Sequence, residues 1–188
     1  MGAGIDALSF YSSRYFIDMK TLADARGVDA DKYYVGLGQH QMAVPPPDED
    51  VITMGASAAF PLLRRYAKDA FDFVIFTTES GVDQSKAGAV YIRGLLDLSR
   101  ECGVVEFKQA CYSSTAGLQL ALSYVESHPT RKVLVITSDV ARYGLMTPGE
   151  PTQGCGAVAI VVSAEPRLVE IEPGSGYVTD DVMDFWRP

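Results

Sequence analysis

FVIFTT, Phe73 to Thr78, is a short apolar run of β-branched and aromatic residues that stays unbroken until its threonines. A run this short suits a strand rather than a helix, and a strand so continuously apolar cannot keep one face in water. A helical pattern follows from about Ser85 to Arg100, and Val104 to Phe107 reads as the next strand. A second helix is predicted from Cys111 to Ser127, with Leu118, Ala121, Leu122 and Val125 at helical spacing. Leu120 and Tyr124 fill its other side, so this helix should be buried nearly all round. KVLVITS (132–138) and AVAIVVS (157–163) are further unbroken apolar strands. Strands alternating with helices imply an α/β fold, a mostly parallel mixed sheet covered on both faces by helical layers.

Upstream, Ile5 to Tyr11 alternates modestly and reads as a strand. Asp18 is placed to cap a short helix through Met19, Leu22 and Ala23 that stops at Gly27. The Gly-, Gln- and Pro-rich stretch from Tyr34 to Pro47 reads as loop, and Asp50 to Ala67 returns to a helical pattern that Pro61 should start, break or kink. The tail from Pro166 reads as strand and loop.

The 188 residues suit one domain with a sizeable core, and 47% hydrophobic with 21% charged residues argues against wholesale disorder. A net charge of -8 leaves no basic footprint for nucleic acid or an anionic membrane. Without a long apolar run or a basic leader, a cytoplasmic protein is expected. Cys102, Cys111 and Cys155 are odd in number and lack metal-ligand spacing, which disfavours a disulfide framework and leaves room for one catalytic thiol. His40 and His128 stand far apart and outside any HExxH pattern, so no metal site is expected.

An α/β fold presents its chemistry where strands turn into helices. TTESG (77–81) places Glu79 at the end of an apolar strand, and QACYSS (109–114) places Cys111 at the start of a helix. Unpaired amides and the helix dipole there should favour thiolate and lower the cysteine pKa. An enclosed carboxylate should have its pKa raised, which suits a general acid/base. Placement alone goes no further than a candidate Cys/Glu pair, since a lone cysteine beside an apolar helix is commonly inert.

The strings themselves go further. TTESGVDQSK (77–86) resembles the segment of hydroxymethylglutaryl-CoA synthases that carries the acid/base glutamate, and KQACYSSTAGLQLA (108–121) resembles their nucleophile segment. YVGLGQHQMA (34–43), VLVITSDVARY (133–143), EPTQGCGAVAIVVS (150–163) and DFWRP (184–188) are similar to that family in the same order. The upstream glutamate, and a tyrosine directly after the nucleophile, separate this pattern from thiolases and ketoacyl-carrier-protein synthases. Residues 1–188 thus resemble the N-terminal half of a thiolase-fold condensing enzyme.

The resemblance implies that Cys111 takes the acetyl group of acetyl-CoA as a thioester. Glu79 then removes a proton from the acetyl methyl, the enolate attacks acetoacetyl-CoA, and hydrolysis frees 3-hydroxy-3-methylglutaryl-CoA. It also implies a product or substrate contact near the CoA moiety at Asp29, an acyl-site residue at Thr152 and a tyrosine close to the nucleophile at Tyr143, while Lys32 and Arg26, which flank Asp29, are candidate sources of positive charge for CoA phosphates. No metal or redox cofactor is implied. The expected setting is a homodimeric, cytoplasmic enzyme of the mevalonate route to isoprenoids. The family's second half, which supplies a histidine and an asparagine to the site, has no counterpart here, and Pro188 reads as a truncation. Such a half should expose a large apolar face and be incomplete as a catalyst. Two rival readings use the same residues differently. One is a polyketide β-branching synthase acting on carrier-protein-bound substrates. The other is a non-catalytic assembly subunit, against which the presence of both Glu79 and Cys111 speaks.

Overall fold

Every apolar run singled out above becomes a strand of one sheet in the computed structural model, which describes residues 2–183. The DFWRP segment (184–188) lies outside the described residues. In chain order the elements are β1 (Gly4–Tyr11), β2 (Tyr15–Asp18), α1 (Met19–Arg26), α2 (Asp31–Tyr34), β3 (Gln41–Val44) and α3 (Val51–Ala59). After a 3-10 turn at Phe60–Arg64 come β4 (Phe71–Thr77), α4 (Gly88–Leu95), β5 (Gly103–Phe107) and α5 (Tyr112–Ser127). The chain closes with β6 (Lys132–Ala141), a second 3-10 turn at Glu150–Thr152, β7 (Gly154–Ser163) and β8 (Val169–Glu170).

The main sheet runs β5-β4-β6-β7-β1-β8. β4 is parallel to β5 and to β6, whereas β6–β7, β7–β1 and β1–β8 are antiparallel. The sheet is therefore mixed, with antiparallel pairs in the majority rather than the parallel ones the sequence suggested. The cause lies between β6 and β7: their connection holds only one 3-10 turn, and without a crossover helix the chain returns antiparallel.

Local signals hold up well at the helix ends. The Asp18 carboxylate accepts the amides of Lys20 and Thr21, and Gly27 closes α1 in the left-handed conformation at φ 64°. Asp50 and Thr53 form a reciprocal capping box at the start of α3, and Pro61 converts the end of that helix into the 3-10 turn. The stretch expected to be all loop proves otherwise. Gln41–Val44 is a strand, because β2 lies antiparallel beside it with Phe16 opposite Ala43 and Ile17 opposite Met42. A four-residue strand draws its stability from that partner and leaves little periodicity of its own to read.

One face of the sheet is sealed by α3 and α4, where Phe76, Leu134, Ile136, Ala159 and Val161 meet Met54 and Ile92 in the larger core. Among the described residues the other face carries one helix, α5, which packs on Ile75, Val133 and Val135 through Ala121 and Val125. α5 is not buried all round, as its composition suggested. Ser113, Gly117, Ala121 and Val125 form one buried stripe, while Leu120 is 55% exposed on the far side. Beyond α5 the same sheet face lies open: Leu8 and Phe10, opposite Ile160 and Val158, are 54% and 75% exposed. Coverage on both faces is thus only half realised. Among the described residues no helix is long and apolar enough to cross a membrane.

Candidate active site

Parallel strands β4 and β6 run side by side to the end of β4, with Thr77 registered on Thr137. The turn that follows β4, Thr78-Glu79-Ser80, therefore emerges beside β6, which continues through Asp139. One carboxylate oxygen of Asp139 accepts three hydrogen bonds from that turn: Thr78 Oγ1 at 3.0 Å, the Glu79 amide at 2.8 Å and Ser80 Oγ at 2.7 Å. The Ser80 hydroxyl in turn accepts the Val140 amide at 3.1 Å. Three donors converge on this one oxygen, so the backbone carrying Glu79 is held from β6 rather than left to its own loop.

On the neighbouring side β5 leads into α5 through Lys108-Gln109-Ala110. Ala110 adopts φ 43°, a left-handed conformation that a residue with a Cβ rarely takes. The strain is held by the Ser113 hydroxyl and amide, which both donate to the Ala110 carbonyl, at 2.9 Å and 3.2 Å. This elbow turns Cys111 outward at the head of α5, and the thiol is solvent-exposed. Gly117, one turn along, lets the helix sit close on the sheet: a Cβ there would stand 3.1 Å from Ile75 Cγ2 and 3.3 Å from Thr77 Cγ2. A contact of 2.9 Å between the Thr77 and Ser114 hydroxyls completes the seam.

The two turns meet. Cys111 Sγ donates to Glu79 Oε1 across 3.4 Å. The carboxylate acts on the thiol in the direction opposite to that expected from the helix terminus. Its hydrogen bond, and then its charge, raise the Cys111 pKa, with the residue's own backbone amide offsetting only part of this. The resting state is thus a thiol with a proton acceptor already in contact. Glu79 itself is half-buried, not enclosed as its place after an apolar strand suggested. By contrast Cys102 is buried, and burial pushes its thiol up to about 11, while Cys155 is also raised by burial. Of the three cysteines, Cys111 is the one exposed at the surface.

A cleft of roughly 730 Å³ opens beside Glu79, lined also by Gly81, Lys86, Glu106 and Lys108. A second, of roughly 460 Å³, lies between α1–α2 and the β6–β7 connection, with Lys32, Tyr33 and Leu37 on one wall and Met146, Pro148 and Pro151 on the other. Lys32 is therefore on a cleft wall. Tyr143 and Thr152 sit at the two ends of the connection that forms the opposite wall, where the Tyr143 amide donates to Gln153 Oε1 at 2.7 Å and Thr152 Oγ1 donates to the Gly149 carbonyl at 2.8 Å. Asp29 is outside the lining of both clefts, an exposed residue whose Oδ1 accepts the Asp31 amide at 3.0 Å. Arg26, expected to offer charge to phosphates, is instead taken up by Glu150, with Nη2 to Oε1 at 2.7 Å and Nε to Oε2 at 2.8 Å. His40 stacks on Tyr34 and His128 on Tyr124, with ring centroids 4.7 Å and 4.3 Å apart.

Sequence reasoning missed Asp139, Ala110 and Glu150. The first carried a usable signal, an acidic residue at the end of an otherwise apolar strand. Ala110 carried none, because the strained turn there uses neither Gly nor Asn.

The family model described as hydroxymethylglutaryl-coenzyme A synthase N terminal matches residues 1–166. The hydroxymethylglutaryl-CoA synthase of Enterococcus faecalis is 48% identical over 188 residues, covering 100% of this chain and 49% of the relative. The polyketide biosynthesis 3-hydroxy-3-methylglutaryl-ACP synthase of Bacillus subtilis is 37% identical, over 100% of this chain and 48% of its own length. A solved structure of an HMG-CoA synthase complexed with CoA superposes with TM-score 0.96 at 46% identity, covering 100% of this chain and 48% of that one. The chain spans about half the length of the curated relatives it matches.

Proposed function

The chain belongs to the hydroxymethylglutaryl-CoA synthase family, and from that premise we propose that it is the nucleophile-bearing N-terminal half, residues 1–188, of an acyltransferase that condenses acetyl-CoA with acetoacetyl-CoA. The observation that carries the proposal is the 3.4 Å contact between Cys111 Sγ and Glu79 Oε1 at the head of α5. Cys111 attacks the thioester carbonyl of acetyl-CoA as its proton passes to Glu79, and the C–S bond to CoA breaks. The departing CoA thiolate takes that proton back, which returns Glu79 to the carboxylate form. An acetyl group on Sγ then holds its methyl beside the same carboxylate, which removes a proton from it. The enolate forms a C–C bond to the ketone carbon of acetoacetyl-CoA, the new alkoxide takes up the proton now on Glu79, and water cleaves the Cys111 thioester. One carboxylate thus serves both stages, and the chemistry calls for neither metal nor redox group.

Lys32 lines the second cleft, where the CoA portion of a substrate would run; Tyr143 and Thr152, at the ends of the connection that forms its far wall, would border it, and Asp29 would meet it from outside the lining. The open sheet face at Leu8 and Phe10, together with Leu120 of α5, would be covered by a second half absent from these 188 residues. The same reading carries a homodimeric enzyme of the mevalonate route, and its three free cysteines suit the reducing cytoplasm. Higher identity to the CoA-dependent relative supports CoA over carrier-protein substrates.

Intact-mass analysis after incubation with acetyl-CoA tests the proposal on the natural full-length protein. An adduct of about +42 Da that disappears in Cys111→Ala is expected. An adduct that persists in the variant, or none in the parent, sinks it.

A further inference from the structure

The two walls of the second cleft are joined by a cross-brace. Glu150 is 4% exposed, and both of its carboxylate oxygens are used: Oε1 by Arg26 Nη2, Oε2 by Arg26 Nε at 2.8 Å and by the Met146 amide at 2.9 Å. The bond to Met146 matters because that residue sits at φ 62°, a left-handed conformation that costs free energy unless something fixes it. Arg26 is the last residue of α1, whose length is set by its caps at Asp18 and Gly27. The brace therefore joins a rigid helix end to the strained crest of the β6–β7 connection, across 124 positions of sequence. Further along that connection, Gly149 lies against the Tyr143 ring, a Cβ there standing 3.3 Å from Tyr143 Cγ. Among the described residues no strand ladder joins these two walls directly, although β3, which follows α2, packs on β7, and the Arg26–Glu150 ion pair links the walls themselves. The pair also neutralises Arg26, leaving Lys32 as the lining cation with no ion pair among the described residues.

Resting on the reading of the chain as half of a CoA-dependent synthase, we propose that Arg26 and Glu150 are a positioning pair that sets the width of the CoA-binding cleft. They hold the wall at Met146, Pro148 and Pro151 opposite Lys32, with Tyr143 and Thr152 at the ends of that connection, and act through position rather than by contact with the reacting atoms. A bidentate guanidinium–carboxylate pair suits this task, since it fixes orientation as well as distance.

The test measures acetylation of Cys111 against acetyl-CoA concentration in the natural full-length protein, with hydrogen exchange of residues 143–153 alongside. Glu150→Gln is expected to raise the apparent KM about tenfold while the saturating rate falls far less, and to speed exchange in that segment. The double swap Arg26→Glu with Glu150→Arg keeps both charges and should recover most of the KM. A KM left unchanged while the segment exchanges faster would reduce the pair to a structural brace and overturn the proposal. So would a lower saturating rate at constant KM, which would place the effect at Cys111. If Glu150→Gln does not fold, the swap decides alone: near-parental KM supports the pair, and a KM as high as that of Arg26→Leu overturns it. A parent protein that is never acetylated overturns the synthase reading itself, an outcome distinct from an acetylated parent whose variants match it.

Discussion

Glu79 and Cys111 are 32 positions apart and are delivered by strands of one sheet, whereas Arg26 and Glu150 are 124 apart and are delivered by a helix end and a loop. At the first site the backbone ladder already places both turns at one edge, and side chains only trim the result. At the second the walls are joined by a side-chain pair instead of a ladder. Position is therefore cheap where strands supply it and fragile where loops do, and substitutions at the two sites should fail in different ways.

The largest effect should come from loosening the turn that presents Glu79. Asp139→Ala removes the acceptor of three hydrogen bonds, and the resulting displacement should slow Cys111 acetylation by about 100-fold with little change in circular dichroism. Asp139→Asn keeps an acceptor oxygen and should retain most of the rate. Equal losses in the two variants would show that the charge, and not the hydrogen bonds, is what matters.

The close seating of α5 comes next. Gly117→Val forces branched methyls into a space where even a Cβ would meet Ile75 at 3.1 Å, and should cost about 1–3 kcal/mol by denaturant midpoint. Gly154→Ala, at the loop-fed end of β7, meets nothing within 4 Å and should be close to neutral. A reversed order would mean that the loop site, not the strand site, is the tightly packed one.

A smaller and purely electrostatic difference separates the thiols. Glu79 raises the Cys111 pKa, so Glu79→Gln should move the pH profile of iodoacetamide alkylation at Cys111 toward lower pH. Cys102, held at about 11 by burial, should stay unreactive in both proteins. No movement of the profile would dismiss the Glu79 contact.

The mildest is the acid response of the brace. The Arg26 guanidinium, followed by the Met146 amide, holds Glu150 down at about 2, below its ordinary 4.5. The unfolded carboxyl thus takes up a proton first, so the contribution to stability is complete above about 4.5 and is lost as pH falls toward 2. Limited proteolysis should open the β6–β7 connection in that window, earlier than the Glu79 turn. Simultaneous opening would show that the two sites are one cooperative unit.

What could be read from residues alone was whatever neighbouring residues decide. The apolar runs FVIFTT, KVLVITS and AVAIVVS announced buried strands, Asp18 and Gly27 bracketed α1, and Pro61 marked the end of α3, because patterning, caps and proline act within a few residues. The strings around Glu79 and Cys111 also identified the family. Sheet direction was half legible: the missing helix between Ala141 and Gly154 was a sign of antiparallel return that the apolar strands overshadowed. Tertiary structure decided the remainder. It paired Gln41–Val44 with β2, left the sheet face at Leu8 and Phe10 open, and reversed the shift at Cys111 by bringing a carboxylate to it. It also spent Arg26 on Glu150. Each of these depends on which distant group arrives alongside, and a partner 30 or 120 residues away leaves no mark on local periodicity.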